Sequence, residues 1–524
     1  MKSVKRQQVH TAIYHIGLLM MAFFMPLSIF MTNASMIMIA VNWVLECRYK
    51  EKLQRIRDNW SILVFCLIYI VHLVWLANTS NFAYAANDLR VKLPLLVLPI
   101  VIGTSDLLSA KRLNQILLVF VGGVFVSSCI GLSARLLGFG DNFRDLAMFV
   151  SNIRLSLMAC LSIFVMLYFV YKGIFFRHWT IVIAVLVILQ MLVFMSLIQS
   201  ITGYVCLFAT LIAVLVSVSI KEKRKLYSRL CLLLAIVVPL AVVGMLAFCV
   251  YNFYQPTGDN VQLEKTVNGI PYDEVSTDGI IENGNVVGMN ISRQELEQAW
   301  PQRSNIPLDS LDHRGQPIYY TLLRYMTSLG LTKDAEGLAK LSSTDIKNIE
   351  SGETNYKYVK NGGLLNRIYV IIWEFDIYIK TGDCNGHSVT QRIEFLKYGM
   401  KLIGRNFFAG TGVGDVNDEY QAIYEEENFS LLRNYWHRAH NQFVTFFIAF
   451  GVFGFLLCVF AWFYPAFAGW KMRNYYFLIF FLIATISMFS DDTLETSTGA
   501  VFVAFLYSLL RWTTDEKQEI NDGQ

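Results

Sequence analysis

Long apolar runs separated by short polar breaks organise most of this chain. Twelve such runs lie at roughly 11–28, 30–46, 60–77, 91–104, 113–134, 151–171, 179–198, 201–219, 230–250, 441–463, 475–489 and 497–511. A helix that crosses hydrocarbon needs about 20 mostly apolar residues, fewer where it is short or re-entrant. The pattern therefore predicts about twelve transmembrane helices, those at 91–104 and 475–489 being short. The runs do not alternate with period two, which excludes barrel strands. The expected fold class is an all-α polytopic membrane protein with one large extracytoplasmic loop.

The polar breaks set an expected orientation, because lysine and arginine concentrate on cytoplasmic segments. With the N terminus inside, segments 1–10, 47–59, 105–112, 172–178, 220–229, 464–474 and the chain end from Arg511 together hold 21 basic residues. Both termini are then expected in the cytoplasm, and 251–440 outside it. The predicted organisation is an N-terminal membrane region at 1–250 with about nine helices, the loop module at 251–440, a C-terminal membrane region at 441–512 with about three helices, and a cytoplasmic tail at 513–524.

A segment as long as 251–440 is expected to fold in part. Ser292 followed three residues later by Glu295 has the capping-box arrangement and predicts a helix start. IYYTLLRYMTSLG at 318–330 reads as an amphipathic helix with a glycine stop. LLNRIYVIIWEFDIYIKTG at 364–382 is too apolar for a free loop and is expected to lie on the membrane face or over the span bundle.

Composition agrees with the membrane reading: 55% of residues are hydrophobic and 16% charged, with mean hydropathy +0.45. A net charge of +4, dispersed along the chain, together with the absence of any nucleic-acid-binding motif, argues against a nucleic-acid partner. Nine cysteines form no CxxC pair, so neither a disulfide framework nor a cysteine metal site is expected. The basic start MKSVKRQQ precedes an apolar run without a small-residue cleavage signal, and reads as a retained first helix.

Charge near membrane depth is costly unless paired or hydrated, which makes such residues candidates for function. Arg90 and Lys92 open the fourth predicted span, either as snorkelling anchors or as phosphate contacts. Arg154 lies within a turn of the sixth span's start and is better explained by an anionic partner than by lipid. Arg392, Lys397, Lys401 and Arg405 share much of one helix face, and arginine forks suit a pyrophosphate. His437, Arg438, His440 and Asn441 sit immediately before an apolar helix. With Tyr435 and Trp436, the two histidines also fit an interfacial belt. GTGVG at 410–414 lacks the Lys-Ser/Thr of a P-loop. The acidic clusters GDVND and DDTLE supply no complete ligand set, so no metal is expected, while Glu394 and Asp415 are candidates to orient His440 or an arginine.

SVTQRIEFLKYGMKLIGRNFFAGTGVGD followed by HNQFVTFFIAFGVFG resembles the O-antigen ligase and polymerase superfamily: an arginine-headed helix, a Gly-x-Gly turn and a His-Asn pair before a span. SNIRLSLMACLSIFVMLYF and SLIQSITGYVCLF are similar to its middle spans. The resemblance implies a GT-C-like membrane fold in the bacterial inner membrane, with the large loop periplasmic. It implies transfer of a glycan from undecaprenyl pyrophosphate without nucleotide, metal or other cofactor. By the same resemblance, Arg392 binds the donor pyrophosphate, His440 activates or orients the acceptor hydroxyl, and Asn441 fixes its tautomer or caps the next helix. His437 and Arg438 would contact acceptor or headgroup. The family's middle-span arginine is absent, since Ile201 stands in its place, and Arg154 or Arg90 is the expected substitute.

The chemistry is consistent with such a role. A sugar on pyrophosphate already has a good leaving group, so a catalyst must neutralise phosphate charge and deprotonate an alcohol. A single inverting displacement needs no enzyme nucleophile. Ligation to lipid A core is the favoured reading; polymerisation on a growing glycan, protein O-glycosylation and lipid-linked sugar transport are the alternatives.

Overall fold

The computed structural model describes residues 2–139, 143–175, 177–258, 260–274, 279–361 and 363–513. The predicted tail lies outside them after its first residue. Two compact units are formed: residues 1–228, 392–429 and 436–524 make the first, and 229–391 with 430–435 the second.

Helices dominate, but the expectation of about twelve spans, and the GT-C-like architecture with it, is overturned. Among the described residues seven helices are long and apolar enough to cross a membrane: Ser61–Asn78, Ala110–Leu136, Asn152–Tyr171, His178–Ile198, Ile201–Lys221, Lys225–Tyr254 and Gln442–Phe467. The number is eight if Ile29–Leu45 and Tyr49–Asp58, bent by 108° at their junction, form one broken span. This is a multi-pass membrane protein with fewer crossings than its apolar runs imply.

The overcount has a physical cause. Ser497–Trp512 has 16 residues, about 24 Å at 1.5 Å per residue, against about 30 Å of hydrocarbon. Nearly all of its side chains are buried, and it packs against Pro94–Gly103, another short helix of 10 residues. Tyr475–Ser490, also 16 residues, packs against Ile201–Lys221. An apolar run has the same composition whether it faces lipid or other helices. Lys2–Phe24 is long but begins with polar and basic residues.

In the first unit Gln442–Phe467 packs along Ser61–Val74. Tyr507 Oη donates to the Trp462 carbonyl at 3.0 Å, and Trp512 Nε1 to Ser61 Oγ at 2.8 Å, tying the buried helix to both. Gln442–Phe467 is interrupted at Gly451, whose φ of 60° and ψ of −172° leave the helical region. The 407–412 segment takes up the freed groups: Thr411 and Gly412 amides donate to the Ile448 and Ala449 carbonyls at 2.8 and 2.9 Å, and the Val452 amide to the Phe407 carbonyl at 2.8 Å. Backbone broken at membrane depth must be satisfied by such internal partners. A side chain at Gly451 would meet the Phe408 carbonyl at 2.3 Å.

The second unit is built from short helices around Leu296, Trp300, Leu322, Met326 and Ile349, with one antiparallel pair of two-residue strands, Ile281–Glu282 and Asn285–Val286. The amphipathic helix forms at Ile318–Ser328, and Gly330 beyond it has φ 73°. A helix does start after Ser292, yet without the side-chain cap bond of a capping box. Glu295 instead accepts from Thr266 Oγ1 at 2.6 Å and the Ala335 amide at 3.0 Å, so tertiary partners displaced the local one. The apolar 364–382 stretch is helical over Gly363–Thr381, and its Ile368 and Tyr369 pack with Cys249 and Phe253.

Candidate active site

The start of Gln442–Phe467 defines the geometry around the two histidines. Asn441 is the N-cap: its Oδ1 accepts from the Phe443 and Val444 amides at 3.0 and 3.1 Å, and its Nδ2 donates to the Phe489 carbonyl at 3.0 Å. The cap satisfies amides that have no partner within the helix. His440, just before it, has a left-handed φ of 46°, sparsely populated for a residue with a side chain and typical of functional sites. Tyr424 Oη donates to the His437 carbonyl at 2.8 Å. The His440 ring lies 5.9 Å from that of His437 and 6.2 Å from Phe395.

Facing this turn is the 491–496 segment, whose carboxylates are buried. Asp491 Oδ1 is 3.8 Å from His440 Nδ1, close enough to act through its charge but too far for a direct hydrogen bond. Arg154, buried, pairs with Asp491 and donates to the Asp492 carbonyl at 3.0 Å and Thr496 Oγ1 at 3.3 Å. Arg438 reaches Glu495 at 3.3 Å, Asp492 at 3.7 Å and Tyr84 Oη at 3.3 Å. Lys92 bonds Asp88 at 2.5 Å and Glu495 at 2.8 Å. Thr445 Oγ1 donates to Asp492 at 2.9 Å and Gln442 Nε2 to Glu495 at 2.9 Å, joining the long helix to the cluster.

Burial and these charges pull the titrations apart. Burial lowers the His440 imidazole to about 4, and the positive charge of Arg392 acts in the same direction while Asp491 opposes both. At neutral pH the ring is uncharged and able to take a proton. Burial raises Asp492 to about 6 against the pull of Arg438, and raises Asp88 to about 6 against that of Lys92. Burial also acts to raise Glu495, but Lys92 and Arg438 together hold it well below the usual carboxylate range. A cavity of about 380 Å³ opens beside these groups, lined among others by His437, Arg438, His440, Arg154, Asp491 and Trp436.

The residues expected at the site are distributed unevenly. His437, Arg438, His440 and Arg154 line the cavity. Arg392 is near enough for its charge to act on His440, and Asn441 acts as the cap. Lys92 is buried within the ion cluster. Arg90 is exposed and donates to Asn87 Oδ1 at 2.7 Å. Arg405 forms an exposed pair with Glu426 at 2.6 Å. Of the two candidate orienting carboxylates, Glu394 pairs with Lys397 at 3.4 Å, and Asp415 accepts the Ser80 and Asn81 amides at 2.7 Å each. Val413 and Gly414 amides point to Thr79 Oγ1, so the amides of 411–414 are engaged within the protein.

Sequence reasoning missed Asp491 as the carboxylate beside His440. The available signal was the acidic DDTLE run between two apolar helices, since carboxylates in such a setting require cationic partners. Among the described residues no group of three or more His, Cys, Asp or Glu side chains is placed to hold a metal ion.

Residues 361–459, which contain Arg392, the 410–414 turn and His440, match the family model described as O-antigen ligase. Over this stretch, about a fifth of the chain, the protein is similar to the O-antigen ligase family. A comparison with curated proteins returns no match. The O-antigen ligase stretch ends within Gln442–Phe467, and the buried carboxylates of 491–495 lie beyond it.

Proposed function

We propose that this O-antigen ligase-like membrane enzyme transfers a glycan from an undecaprenyl-pyrophosphate donor to an acceptor hydroxyl, at the periplasmic face of the bacterial inner membrane, with lipid A core as acceptor. The observation that carries the reading is an uncharged His440 beside Asp491 and within the field of Arg392, at a cavity lined by Arg154 and Arg438. His440 takes the acceptor proton as the acceptor oxygen bonds to the anomeric carbon. The bond from that carbon to phosphate breaks, and undecaprenyl pyrophosphate leaves with the electron pair. Arg392 meets the developing phosphate charge. An anionic donor beside Arg392 offsets its field and so raises the proton affinity of His440 when donor is bound. Asp491 steadies the imidazolium that forms, as a positioning group. Arg154 and Arg438 already pair with Asp491, Asp492 and Glu495, so their contribution is to hold the cavity wall and to supply charge rather than a free fork.

The test is reconstitution of the purified protein in liposomes with lipid-linked glycan and lipid A core. The expected result is glycan-bearing core, lost in His440→Ala and Arg392→Ala while both variants still insert. A ladder of lengthened lipid-linked glycan would assign polymerisation instead, glycan on an added protein acceptor would assign protein glycosylation, and movement of donor across the bilayer without transfer would assign transport.

A further inference from the structure

The helix that carries Arg392 has a face that the catalytic reading does not use. Over residues 392–405 it presents three arcs. Phe395, Tyr398 and Leu402 are buried. Lys397, Lys401 and Arg405 form a charged flank, paired with Glu394, Glu427 and Glu426. The remaining arc holds Ile393, Leu396 and Met400, continued past the helix end by Phe407 and Phe408, with exposures from 39% to 68%. At about 100° per residue, positions 393, 396 and 400 fall within roughly 60° of one another.

The apolar stripe does not end in water. Phe407 meets Phe447 with ring centres 5.4 Å apart, and Phe408 meets Phe453 at 6.5 Å. Phe453 begins the exposed face of Gln442–Phe467, which goes on through Leu456 and Phe460. That helix is one of the seven able to cross a membrane, so its exposed apolar face is a lipid face. The stripe is therefore continuous with a surface that touches acyl chains, and its flank of paired lysine, arginine and glutamate side chains suits the polar headgroup layer.

We infer that residues 392–408 lie along the bilayer surface as an interfacial segment, with the stripe in the upper acyl region and the lysine flank among headgroups. Arg392 stands at the edge between the stripe and the buried face, so this placement sets it, and His440 beside it, at the depth of lipid phosphates. A phosphate-linked lipid would then reach the site without leaving the bilayer. The surface placement stands independently of which acceptor the enzyme uses.

The experiment incorporates p-benzoylphenylalanine at Leu396 or Met400, one position at a time, in the full-length protein in nanodiscs of phosphatidylethanolamine and phosphatidylglycerol. Irradiation followed by intact mass spectrometry is expected to show a phospholipid adduct at both positions, with a several-fold lower yield from the same probe at Lys401. Position Phe453, on the lipid face of the spanning helix, is the positive control. Lipid adducts at Phe453 with none at Leu396 or Met400 would overturn the inference. So would adducts there to another segment of the chain or to a second copy. The two positions are independently exposed, so a folding failure in one variant leaves the other to decide.

Discussion

Two arginines and one carboxylate compete over the proton affinity of His440. Arg392 and Arg438 lower it, as burial does, and Asp491 raises it. His440→Ala is expected to reduce transfer by about 10²-fold to 10⁴-fold, the usual share of general acid–base catalysis, with membrane insertion unchanged; wild-type rates would remove the histidine from the chemistry. Asp491→Asn keeps the shape but removes the opposing charge. It should lower kcat by roughly 10²-fold with little change in KM, because the loss falls on the imidazolium that forms in the transition state. A change confined to KM would instead make Asp491 part of the binding surface. The position of His440 was legible, because it stands with Asn441 at the mouth of an apolar helix. Asp491 was not, because it is far along the chain and only folding brings its carboxylate to 3.8 Å.

At the scale of elements, the break at Gly451 and the 407–412 segment form one device, and neither half explains itself alone. Gly451→Ala demands a positive φ from alanine and places a carbon 2.3 Å from the Phe408 carbonyl. A loss of about 1–3 kcal/mol is expected, read as a lowered melting temperature of the protein in nanodiscs; unchanged melting would mean the helix can close over the break. The glycine turn at 410–414 had a superficial likeness to a phosphate loop, and its amides proved to be engaged with Ile448, Ala449 and Thr79. In the 491–496 segment, Glu495 joins Lys92 to Arg438. Glu495→Gln leaves two buried cations short of charge and should destabilise by about 3–5 kcal/mol. The double variant Glu495→Gln with Lys92→Met should recover part of that loss, and strict additivity of the two changes would show that the pair does not interact.

For the whole molecule, the buried acids predict how stability changes with pH. Asp88 and Asp492 are raised from 3.8 to about 6 in the folded protein, so between those values the folded state binds more protons than the unfolded one. Their contribution to stability should therefore grow as pH falls from 7 toward 4, offset in part by His440, which at about 4 in the folded protein binds its proton less readily than in the unfolded chain. Glu495 is depressed, and its contribution, present above 4.5, is lost as the pH drops further. Thermal melting should change little from pH 7 to about 6, then rise to a maximum near pH 4; a steady decline from pH 7 downward would contradict the assignment of the raised acids. Apolar patterning alone determined that the chain is helical and lives in a membrane, because so many long apolar runs together exceed what a water-surrounded core can enclose. Motif resemblance, rather than spacing by itself, placed Arg392 and His440 in one stretch, which the O-antigen ligase family model also spans. Only the tertiary structure decided which apolar helices are enclosed by others rather than by lipid, since composition is the same in both surroundings. It alone also decided which carboxylate stands beside His440, since pairing of buried charge depends on distance in space and leaves no spacing in the sequence.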